Sequence, residues 1–222
     1  MTSHTDSVAR RSFFQRASAL ALAAAAWPRT LTAASSPSVL QDQNDRWLAG
    51  LRAPNRQLFD IPSIGDGLGL VHVMNYLDTY NRAYSVRDSD INAVGTFYGE
   101  TTLLAANDAM WSKYRIGEIM NQKNAAGQPA TANPWRTSVR ALGMDIAPAS
   151  IEALQKRGVL FIACNNAINF WVGQIAKARN TDVPSVDRDI RANLLPGVVV
   201  VPAMVIAIEK AQKAGMAYNR QT

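Results

Sequence analysis

The sequence predicts an α/β fold: three layers, α/β/α, around a mainly parallel sheet of about five strands. Two short runs, "VLFIA" from Val159 and "GVVVVP" from Gly197, are apolar on both faces, the composition of strands covered by helices on both sides. Between such runs, apolar residues recur at helical spacing: Leu70, Val73, Met74, Leu77, Tyr80 and Tyr84, then Ile168, Trp171, Val172 and Ile175, then Met204, Val205, Ile208 and Ala211. The two patterns alternate along the chain, and that order marks a parallel sheet with crossover helices.

Taken in order, Arg56 to Ile61 reads as a first strand stopped by Pro62, and a long amphipathic helix starts near Asp66. "DINAVGTFYG" is β-rich and ends at Gly99, after which "ETTLLAANDAMWSKY" has helical composition. Arg115 to Ile146 holds no sustained period and is expected to be an irregular excursion with one short helix near Trp135 to Leu142. Pro148 suits a helix first turn, and Ala149 to Arg157 reads as a helix ending at Gly158. The "VLFIA" strand, a helix, the "GVVVVP" strand and a last helix follow, and Gly215 leads into a final strand, "MAYNR".

The opening segment reads as an address rather than as structure. Arg10 and Arg11, followed by Ser12, Phe13 and Phe14, precede an Ala/Leu run and small residues, and together they look like a twin-arginine export signal. The expected boundary lies after Thr32-Ala33-Ala34, so residues 1–34 are set aside as signal and 35–55, rich in Ser, Gln, Asn and Arg, as linker. Residues 56–222 then form one domain. The expectation is a periplasmic bacterial protein exported by the twin-arginine (Tat) translocase. Ala17 to Trp27 and Val198 to Ile208 fall short of the roughly 20 apolar residues a bilayer needs, so no stable membrane insertion is expected after cleavage. Four of the 23 basic residues (Arg10, Arg11, Arg16, Arg29) sit in the signal and contribute to the net charge of +6. The remainder forms no basic stripe, and no nucleic-acid partner is expected.

Three stretches carry a resemblance: "FDIP" with a helix containing "NYL", a strand ending in "YG" before "LLAANDAMWSKY", and "GVLFIACNNAI" followed by "LLPGVVVVPAMVIAIEKAQKAGMAY". Together they resemble the DsrE/DsrF-like family of small α/β proteins, over roughly Arg56 to Arg220. The resemblance implies a homo-oligomer, a trimer or hexamer. It also places Cys164 where sulfur-relay members carry a persulfide, while other members have no assigned chemistry. Tyr98 stands where relatives often have a histidine, so no imidazole role is expected there.

Cys164 is the single cysteine of the chain, so no internal disulfide forms and a dithiol mechanism is disfavoured. At the carboxyl end of a central strand it lies where open α/β sheets place their ligand sites. The start of the following helix, capped by Asn165 or Asn166, would favour a thiolate there. Asn165, Asn166 and Tyr98 are the candidate pocket residues around it, with Asn169 a further one, although caps and exposed helix positions account for the asparagines equally. Free cysteines are also commonly buried as small hydrophobes. Two readings therefore stand: a sulfur carrier using Cys164, or an oligomeric binding or accessory module without covalent chemistry. His72, opposite the Leu70/Val73/Met74 stripe, reads as a surface or subunit-contact residue. One histidine and one cysteine in the mature part build no typical zinc site, and "GDGLGL" lacks the dinucleotide-binding spacing. No metal or cofactor is expected.

Overall fold

The computed structural model describes residues 43–221; Arg10, Arg11 and the signal boundary lie outside the described residues. Five parallel strands form the sheet in the order β6-β5-β2-β1-β7: β1 (Asn55–Asp60), β2 (Ile91–Phe97), β5 (Leu160–Cys164), β6 (Val199–Val201) and β7 (Ala217–Arg220). Helices cover both faces, so the fold is the three-layer α/β/α arrangement that the alternating patterns predict. No helix among the described residues is long and apolar enough to cross a membrane.

On one face pack α2 (Leu68–Tyr84), α3 (Asp108–Lys113), α4 (Ile116–Ile119), α5 (Ile151–Lys156), α6 (Asn165–Arg179) and α7 (Val183–Ala192). They bury Val73, Leu77, Trp111, Leu154, Ile168, Val172 and Ile190 with the strand residues Phe59, Phe97 and Phe161. The other face is covered by α1 (Arg46–Ala49) and α8 (Met204–Lys213). There Trp47, Leu51, Met204, Ala207 and Ala211 pack with Leu58, Val94, Ile162, Cys164 and Val201. Gly95 in β2 is required by the first core: Phe161 stacks on Phe97 with centroids 4.9 Å apart, and a Cβ at Gly95 would lie 2.5 Å from the Phe161 ring.

Several elements depart from the expectations. "ETTLLAANDAMWSKY" is split: Gly99–Ala105 is a 3-10 segment, and α3 begins only after Asn107, whose side chain accepts from Met110 N–H. The short helix expected near Trp135 to Leu142 is instead a hairpin of β3 (Val139–Ala141) and β4 (Met144–Ile146). Leu142 and Gly143 both take positive φ, the conformation of a tight two-residue hairpin turn. The "GVVVVP" strand is not buried on both faces: β6 is a sheet edge, and Val200 is exposed. The segment read as linker holds α1, whose Trp47 is buried against the sheet. α7, capped by Asp182 accepting from Ser185 N–H, is an element beyond those expected.

The Arg115 to Ile146 excursion is irregular but tightly fastened. Buried Asn133 donates to the carbonyls of Leu104 and Ala106 at 2.7 and 2.8 Å. Arg136 pairs with Asp108 at 2.7 Å and with Glu152 at 2.5 Å. The two Asn133 bonds satisfy carbonyls at the end of the 3-10 segment that lack helical partners.

Candidate functional site

The site is set by where the connections leave the sheet. After β5 the chain enters α6 on the first face, whereas after the neighbouring β6 it enters α8 on the second. Two adjacent strands whose connections diverge leave a crevice at their carboxyl ends, the place where open α/β sheets bind ligands. Cys164 ends β5, and its partner across the strand pair is Val201, the end of β6.

The structure places Cys164 as the residue immediately before α6, with the Cys164 backbone extended and no side-chain cap on that helix. Neither Asn165 nor Asn166 caps it: Asn165 is half-buried in the first turn and Asn166 is exposed. The polar group that meets the sulfur belongs to a different helix. Met204 N–H, at the start of α8, donates to Cys164 Sγ at 3.4 Å. A helix start carries unpaired N–H groups, and this contact gives one of them to the sulfur. Cys164 is 6% exposed, with its side chain among Ile162, Val201 and Met204.

Tyr98 is brought to the same region. It follows Phe97, the last paired residue of β2, which faces Ala163, and it packs against the apolar cluster that contains Cys164. Burial, and then the Asp60 carboxylate, push the Tyr98 phenol above its ordinary value, so it stays a neutral hydrogen-bond donor.

Three further residues at this edge were not singled out from the sequence. Asp60 closes β1 and is fully buried. Its Oδ2 accepts from Tyr218 OH at 2.5 Å and from Arg220 Nη1 at 3.4 Å. Its Oδ1 is buried without a hydrogen-bond partner among the described residues. Burial first, then Asp60, raises the Tyr218 phenol as well. The available signal was an acid placed between apolar residues at the end of the first strand, in "LFDIP". Its partners in "AYNR" lie 158 and 160 residues later, and only the placement of β7 beside β1 joins them.

His72 lies away from the sulfur. It is exposed on α2, and its Nδ1 bonds Gln221 Oε1. Asn169 on α6 accepts from Arg191 Nη2 at 2.6 Å, an interhelical tie to α7 rather than a pocket group.

The chain matches no protein-family model and no curated protein. Among solved structures it is similar to a protein of unknown function from Methanobacterium thermoautotrophicum, with 22% identity and a TM-score of 0.38, over 75% of this chain and 99% of that one.

Proposed function

We propose that the protein is a periplasmic sulfur carrier that holds sulfur on Cys164. The observation that carries this reading is the Met204 N–H directed at Cys164 Sγ in the β5/β6 crevice. In the step envisaged, the Cys164 thiolate attacks the outer sulfur of a polysulfide. The donor S–S bond breaks, the shortened donor leaves with the electron pair, and Cys164 keeps one added sulfur as a persulfide. An acceptor thiol supplied by a partner then removes it. With one cysteine in the chain, no resolving thiol competes within the same subunit. The resemblance to the DsrE/DsrF-like family supports the same assignment and a trimeric or hexameric assembly, and Arg10 and Arg11 ahead of the Ala/Leu run support export by the twin-arginine route.

The alternative is a binding module in which Cys164 is only a core residue, and its burial in an apolar cluster favours that reading. Native-state alkylation separates the two. The carrier reading expects iodoacetamide to modify Cys164 in the folded protein, more slowly than in denatured chain. A thiol that reacts only after denaturation would remove the support for sulfur carriage.

A further inference from the structure

A second polar surface lies on the opposite face of the sheet from the Cys164 sulfur. The edge strand β7 and the flank of α2 leave an open cleft of about 760 Å³ between them, within the size range of small-ligand sites. Its wall runs along α2, 17 residues long, or roughly 25 Å at the rise of an α-helix. It is therefore an elongated cleft.

Tyrosines line the wall as a ladder. Tyr76 packs edge-on against Phe59 of the core at 5.4 Å and edge-on against Tyr80 at 4.9 Å. Tyr84 continues the series, tilted 44° from Tyr80 and 68% exposed. The outer rings thus offer aromatic faces to a ligand instead of filling the core.

The polar groups beside the rings are neutral and largely unspent. Gln57, Asn75 and Thr79 line the cleft and make no side-chain hydrogen bond among the described residues. Asn219 is oriented by a chain of contacts: His72 bonds Gln221, whose Nε2 donates to Asn219 Oδ1 at 2.7 Å. That leaves the Asn219 amide N–H groups to donate outward. Among the described residues no carboxylate lines the cleft, and the one guanidinium that does, Arg220, is paired with Asp60. A cationic ligand would find no counter-charge and a phosphate no unpaired cation. An apolar ligand would strand the amides, at the usual cost of burying polar groups unpaired.

Aromatic faces combined with amides, which both donate and accept, match a sugar. Its C–H face lies against a ring while its rim hydroxyls exchange hydrogen bonds. We propose that the cleft between α2 and β7 binds a neutral oligosaccharide. This assignment uses none of the groups around Cys164 and stands independently of sulfur carriage.

The test is titration of the protein with maltotetraose, cellotetraose and chitotetraose to millimolar concentration, followed through backbone amide shifts. At least one sugar should shift the amides of Tyr80 and Asn219. Tyr84→Ala and Asn75→Ala, both at exposed positions, should each weaken binding by about tenfold, which is about 1.4 kcal/mol, and leave the unfolding midpoint unchanged. Cys164→Ser should bind as the wild type does. Failure of all three sugars to shift cleft amides at millimolar concentration would overturn the proposal, as would wild-type binding by Tyr84→Ala. Shifts that follow protein concentration rather than sugar would assign the cleft to a second copy and overturn it equally.

Discussion

Arg157, just past the end of α5, shows how much a single side chain holds together. Its Nη1 donates to Asp78 at 2.7 Å, its Nη2 to Asn81 at 2.8 Å and its Nε to Asp88 at 2.9 Å. Asn81 in turn donates to Asp88 at 3.0 Å. One guanidinium thus joins α5 to α2 and to the turn before β2. The Arg157 guanidinium holds the Asp88 carboxyl below its ordinary value of 3.8, against the opposing effect of burial. Because the folded-state value is the depressed one, this contribution is fully present above the ordinary carboxylate range and is lost as pH falls through the lower, folded-state value. Arg157→Ala should cost roughly 2 to 3 kcal/mol at neutral pH, since it leaves partly buried carboxylates short of donors. In urea unfolding the gap between variant and wild type should narrow below pH 3.8; a gap that is independent of pH would contradict this role for Asp88.

At the scale of elements, α2, α6, β2 and β5 were legible because each is long enough to display its period. The β3–β4 hairpin was not, since strands of three residues cannot show alternation, and its turn uses Leu142 where Asn or Gly is the usual signal. α7 escaped because only Val186 and Ile190 are buried on it, a stripe too thin to stand out from its charged neighbours. What fixes the hairpin on the domain is Gly67, the residue before α2, with φ of +78°. A Cβ there would overlap Val139 Cγ1 and come within 3.2 Å of the Arg140 carbonyl. Gly67→Ala should therefore destabilise by at least about 1 kcal/mol, from the left-handed backbone and from the clash together. Hydrogen exchange should show faster opening at Val139 to Ile146 before any change in β5; unchanged protection of the hairpin would refute the contact's importance.

For the whole molecule, the position of Cys164 could be read locally, because a two-sided apolar run ending in cysteine announces a central strand and its carboxyl edge. Its hydrogen-bond donor could not be read: Met204 is 40 residues away and arrives only because α8 crosses to the opposite face on its way to β7. The same crossing pairs Asp60 with Tyr218 and Arg220, so the polar edge is a product of strand order more than of any local motif. That route also leaves apolar side chains outside: Val205 on α8 is 70% exposed and Ile206 47%. An exposed apolar pair of neighbouring residues on one helix suits an interaction surface. We expect a homo-oligomer that buries it, independent of any disulfide. Light scattering should report a trimer or hexamer, reduced by the double substitution Val205→Asp and Ile206→Asp. A monomeric wild type at micromolar concentration would refute the assembly.

Sulfur carriage by Cys164 is read out by intact mass measurement of the reduced protein after incubation with polysulfide and removal of excess donor. A carrier gains one sulfur atom per chain, lost on treatment with a thiol reductant. Cys164→Ser, a small change in volume that should preserve the fold, should show no gain. A wild-type mass that never changes, or an equal gain in the serine variant, would contradict sulfur carriage and leave Cys164 as a core residue beneath α8.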